Sequence, residues 1–138
     1  MHPKAPLQLS RSFLRAHHLC TGNGLSEGAA PRSAVVPGIV CLAFAAELGL
    51  KSLLLAESKH EDGHDLKVLF KKLNHATQVA VIERSEVEAE SFEANLKAVA
   101  NTFRKWRYIY QSTGVQSVSE DFLLMLNSGI QSVAREQK

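Results

Sequence analysis

The chain reads as an all-α protein, an antiparallel, up-and-down bundle of about five helices, and three observations predict it. No strand-like alternation of apolar and polar residues persists for any length. Phe92, Leu96, Val99, Phe103, Trp106 and Tyr110 recur at alternating steps of four and three, the repeat of one helix face. The segment from Ile39 to Leu55 is apolar on nearly every face, as expected of a helix surrounded by protein. With 138 residues, the chain is predicted to be one domain over residues 1–138, large enough for a hydrophobic core.

The elements follow in order. Leu9, Phe13, Ala16 and Cys20 step by four, three and four, which predicts the inner face of a first helix with Cys20 as a small hydrophobe. From Gly22 to Pro31 the run GNGLSEGAAP has no period, so a flexible loop is expected at about residues 22–33. Pro37 suits the first turn of a second helix, where its missing N–H costs nothing. Glu47 and Lys51 stand four apart with the acid first, the favoured order for a helical ion pair.

The charged segment ESKHEDGHD, Glu57 to Asp65, breaks that helix, with Asp62-Gly63 as the turn signal and Asp65 as the N-cap of the next. Leu66, Leu69, Phe70 and Leu73 form its apolar side, and Lys67, Lys71 and Lys72 lie opposite. Val79 and Ile82 anchor one short further turn. The long seam begins near Ala89 and is expected to stop at Gly114. Ser119 is a natural N-cap for a last helix built on Phe122, Leu123, Leu126, Ile130 and Val133.

Composition narrows the functional classes. Sixteen basic and fourteen acidic residues leave a formal charge of +2, so there is no global electrostatic footprint for nucleic acid or an anionic membrane. The uncharged stretch Ser33–Ala46 is fourteen residues long, whereas a spanning helix needs about 20. It is expected to be a core helix. The amino-terminal residues lack the continuous apolar run of a secretory signal, and two cysteines in apolar surroundings fit reduced thiols. The expectation is a soluble, uncleaved cytoplasmic protein with no membrane partner.

Two segments could carry chemistry. His60, Glu61 and His64 spell the H-E-x-x-H zinc motif, but Asp62 and Gly63 interrupt the helix on which it depends. The expected reading is a solvated turn, with no metal and no cofactor. Arg104 to Tyr110, RKWRYIY, interleaves basic and aromatic side chains, a mixture that can hold phosphates and stack on bases. Trp106 and Tyr110 continue the apolar seam. Arg104 and Tyr108 share a more open face, and Arg107 borders the seam, where its charge is expected either to pair with an acid, Glu47 being the candidate, or to meet a phosphate or substrate. Arg11 and His17, with His18 beside it, read as surface residues of the first helix.

Taken in order, Glu47-Leu48-Gly49-Leu50-Lys51, then Gly63-His64-Asp65-Leu66, then Trp106-Arg107-Tyr108-Ile109-Tyr110 resemble the HEPN superfamily over roughly Pro37 to Gln111. The resemblance implies a compact helical bundle, commonly a homodimer, often encoded beside a minimal nucleotidyltransferase in toxin–antitoxin or defence systems. Many members are metal-independent ribonucleases in which an arginine is followed a few residues later by a histidine. There the arginine stabilises phosphate charge and the histidine assists proton transfer.

This chain departs from that pattern, because no histidine occurs beyond His75. The only similar spacing, Arg11 to His17 or His18, lies in the first helix. Two expectations follow. The first is a non-catalytic or degenerate dimeric module that binds a partner protein, a nucleotide or RNA through Glu47, Lys51 and Arg107. The second is an endoribonuclease with an atypical site drawn from His64, Arg104, Arg107 and Tyr108. Arg107 and His64 both tied to carboxylates inside one subunit would favour the first; two copies bringing Arg104, Tyr108 and His64 into one cleft would favour the second.

Overall fold

The structure is a computed structural model and describes residues 4–20, 32–100 and 113–137. Among these residues there are six helices and no strand: α1 (Lys4–Cys20), α2 (Arg32–Ala56), α3 (Leu66–Lys71), α4 (His75–Ser85), α5 (Ala89–Val99) and α6 (Thr113–Glu136). Helix α2 packs on α1, α3 and α6, and α6 also packs on α4 and α5. Leu42, Ala43, Ala46, Leu50 and Leu53 of α2 are completely buried in the middle of this arrangement. The segment Gly38–Ala56 is apolar and long enough to cross a bilayer, with mean hydropathy 2.0, yet most of it is buried inside the fold. Its hydropathy is accounted for by the neighbouring helices it meets.

Helices α1 and α2 run antiparallel. Ser10 Oγ donates to the Ala45 carbonyl at 2.6 Å, and His17 Nδ1 reaches the Gly38 carbonyl at 3.0 Å. Phe13 stacks on Phe44 with ring centroids 5.1 Å apart. The buried stripe of α1 therefore contains Ser10 and His17, whereas Leu9 is 50% exposed. This corrects the expected Leu9 face and the placing of His17 on the surface. The reason is close approach: a Cβ on Gly49 would lie 3.4 Å from Ser10 Oγ and 2.6 Å from Ile130 Cγ2. A small hydroxyl fits where the backbones come together, and a leucine side chain would not.

Ser10 also joins the third helix of this contact. Gln131 Nε2 donates to Ser10 Oγ at 3.1 Å, and Arg11 Nε donates to Gln131 Oε1 at 3.1 Å. Deeper along α6, Asn127 Nδ2 donates to the Leu42 carbonyl at 3.1 Å. Asn127 Oδ1 is buried with no hydrogen-bond partner among the described residues, but the bonds of Ser10, Gln131 and Asn127 Nδ2 set the axial register of the packed helices, because a slip would strand further buried polar groups. Asn127 meets Leu42 and Ile130 meets Gly49, so contacts advance in the same sense along α2 and α6.

Several helix limits differ from expectation. Helix α2 starts at Arg32, five residues before Pro37, so the expected loop at 22–33 loses its last two residues to helix; residues 21–31 lie outside the described residues. Pro37 is in the second turn, where its missing N–H removes one backbone bond from a long, otherwise well-bonded helix. The helix ends at Ala56, where the charged segment from Glu57 was expected to break it, and it closes through a left-handed Ser58, φ 60°. The Lys59 N–H reaches the Leu54 carbonyl at 2.8 Å and the Ser58 N–H reaches Leu55 at 2.9 Å, the paired closure of a Schellman motif.

The expected N-cap Asp65 is observed, with Oδ1 accepting from the Lys67 and Val68 amides at 2.9 and 3.2 Å. Leu66, Leu69, Phe70 and Leu73 are buried. The short turn expected around Val79 and Ile82 is the eleven-residue helix α4. It is held by close backbone contact at Gly129 of α6, where a Cβ would fall 2.6 Å from the Val81 carbonyl oxygen. Phe92, Leu96 and Val99 of the long seam are buried, and Phe92 packs on Phe70 and Phe122 with centroids at 5.1 and 5.5 Å.

Helix α5 ends at Val99; Phe103, Trp106 and Tyr110 lie outside the described residues. Neither Gly114 nor Ser119 marks a boundary, since α6 runs continuously from Thr113 to Glu136. A glycine costs about 1 kcal/mol inside a helix, a penalty that 24 residues of otherwise regular helix absorb. The five apolar residues expected to anchor this helix, Phe122 through Val133, are all buried.

Candidate functional site

The centre of the candidate site is a carboxylate in the wall of the core. Glu47 sits in the middle of α2 among buried alanines and leucines, and its side chain is 5% exposed. The helix places Lys51 one turn later, and Lys51 Nζ donates to Glu47 Oε2 at 3.0 Å. The same oxygen meets His64 Nδ1, also at 3.0 Å. His64 stands just before the Asp65 cap, so the start of α3 and the closing turn of α2 together deliver it to the carboxylate. Its ring is 72% exposed.

A carboxylate removed from water is costly unless charge and hydrogen bonds compensate it. Lys51 and His64 supply that compensation at Oε2, while Oε1 is buried with no hydrogen-bond partner among the described residues. Arg107, the partner expected from the sequence, lies outside the described residues, as do Arg104 and Tyr108. Of the residues singled out, the structure thus brings together Glu47, Lys51 and His64.

The loop carrying His64 is fixed at its other end by a second acid that sequence reasoning passed over. Glu57 Oε1 accepts from Lys59 Nζ at 3.2 Å and from the Asn74 amide at 2.9 Å, and Oε2 accepts from Thr77 Oγ1 at 2.6 Å. Burial alone would push this carboxyl above its ordinary value, but the bonds from Thr77, Asn74 and Lys59 together with the lysine charge hold it below. Lys59 also donates to the Lys72 carbonyl at 2.7 Å and to Asn74 Oδ1 at 2.9 Å. No local pattern in ESKHEDGHD announces this role, because the partners are up to twenty residues away.

Between these anchors the loop is extended and polar. His60 Nε2 meets Asp62 Oδ1 at 2.8 Å, and Lys72 Nζ meets Glu61 Oε2 at 2.6 Å. His60, Glu61 and His64 are non-helical, so the H-E-x-x-H letters do not bring two imidazoles onto one helix face. No group of three or more His, Cys, Asp or Glu suited to a metal ion occurs among the described residues. Leu54, Lys59, His60, Glu61 and Lys72 line a hollow of about 470 Å³. Its lysines are already engaged, and neither Glu47 nor His64 lines it.

The Glu47 cluster can therefore orient an exposed imidazole and present an ammonium group beside it. No protein-family model matches this chain, and no curated protein or solved structure matches it.

Proposed function

We propose that this chain is an HEPN-like, up-and-down helical module of the cytoplasm that acts as a dimeric, non-catalytic binding domain for a partner protein, a nucleotide or RNA. A nucleotidyltransferase-type protein is the partner class that the resemblance implies. One observation carries the reading: His64 is tied to the buried Glu47 carboxylate within a single subunit. That link joins the loop before α3 to the core helix, which is a structural task. The near-neutral charge and the lack of any histidine after Arg107 support the same reading.

A second reading, a metal-independent endoribonuclease using His64, Arg104, Arg107 and Tyr108, is favoured by the exposure of the His64 ring. An imidazole held through one nitrogen and open at the other is suited to proton transfer. The test is incubation of the purified protein with structured RNA in EDTA, beside His64→Ala, with light scattering to count subunits. Intact RNA in both samples and a dimeric mass are expected. RNA cleavage by the wild type that is lost in His64→Ala would replace the binding module with the enzyme.

A further inference from the structure

We propose that Glu47 is a positioning residue that locks neutral His64 in its Nδ1–H tautomer, so that this surface offers Nε2 as an acceptor to a ligand carrying an O–H or N–H donor. The proposal deepens the binding reading and rests on it for the surface being a binding one.

Lys51 Nζ has only hydrogens to give, so Glu47 Oε2 accepts from it. An ionised carboxylate is acceptor-only, so its 3.0 Å contact to Nδ1 is an Nδ1–H donation. A neutral imidazole has one N–H, which leaves a lone pair on Nε2. The ring is 72% exposed, so that lone pair faces a region a ligand can reach. Carboxylates that fix the tautomer of a histidine in this way govern what its other nitrogen can bind.

The surface thus carries a specific pattern: an acceptor at His64 Nε2 and, anchored to the same carboxylate oxygen, the remaining hydrogens of Lys51 Nζ. A hydroxyl or amide group that gives a hydrogen bond to His64 is complementary, and a bare carbonyl there is not. The same loop contains a built-in contrast. His60 meets Asp62 through Nε2, so its neutral form is the opposite tautomer, Nε2–H. Two histidines four residues apart are therefore expected to differ.

Long-range nitrogen–proton correlation spectra of the full chain at mildly alkaline pH, with no ligand present, read both rings at once. His64 is expected to show a pyrrole-like Nδ1 and a pyridine-like Nε2, and His60 the reverse. In Glu47→Leu the His64 pattern is expected to invert to the Nε2–H form common for free imidazole, with His60 unchanged. A His64 that is Nε2–H or tautomerically averaged in the wild type overturns the proposal, whether or not Glu47→Leu folds. So does a folded Glu47→Leu with the wild-type pattern. Because no partner is added, neither outcome depends on the RNA experiment.

Discussion

Replacing Gly129 by alanine tests the closest helix contact in the fold. The added Cβ would lie 2.6 Å from the Val81 carbonyl oxygen, 2.9 Å from the Ser85 amide nitrogen and 3.1 Å from Ser85 Cβ. Two of these atoms belong to the backbone of α4, so no side-chain rotation relieves the overlap, and α4 must move away from α6. Overpacking of this kind costs about 1–3 kcal/mol, and a clash with rigid backbone belongs near the upper end. Alanine returns about 1 kcal/mol of helix propensity. The expected net loss is about 2 kcal/mol, or a fall in Tm of roughly 6–8 °C for a domain of this size.

Urea denaturation followed by circular dichroism measures the loss directly, with the slope against denaturant checking that the transition stays two-state. Ser128→Ala is the control, because Ser128 is exposed on the same helix and its replacement should add about 0.5 kcal/mol of propensity alone. A Gly129→Ala protein as stable as the wild type, or more stable, would show that α4 does not approach α6 as described.

Two further predictions concern the loop that carries His64. The Glu57 carboxyl is held below its ordinary value, so its contribution to stability is complete above the unfolded-state value near 4.5 and is lost as the pH falls through the lower folded-state value. The stability advantage of the wild type over Glu57→Gln should therefore shrink steadily in melts recorded below pH 4.5; an advantage that grows on acidification contradicts the bonding described. Ser58 adopts φ 60°, a region that costs a residue with a Cβ about 1–2 kcal/mol. Ser58→Gly should raise stability by about 0.5–1 kcal/mol, and a lower Tm would argue against the left-handed closure of α2.

Much of the fold was legible because helices write their inner faces into the sequence with a period. The Leu66–Leu73 set, the Phe92–Val99 seam and the Phe122–Val133 set are all buried, as is most of the apolar run of α2, and the Asp65 cap stands where its side-chain chemistry called for it. Periodicity failed in α1, where hydrophobicity favoured Leu9 and the structure buries Ser10 and His17. It failed again at the starts of α2 and α6, because proline and glycine shift local propensity by amounts that packing elsewhere along a long helix can outweigh.

The candidate site divides in the same way. The Glu47–Lys51 pair is a local fact, set by the i to i+4 spacing of one helix, and could be read from residue order alone. The arrival of His64 at the same oxygen, seventeen residues on, required the turn at Ser58, the Glu57 anchor and the docking of α3 against the core. Composition and period thus specified an all-helical chain with α2 at its centre. Which polar groups meet, and which side of His64 is left to bind, was decided by tertiary contacts, because hydrogen bonds between distant segments depend on where helices end and how closely they pack.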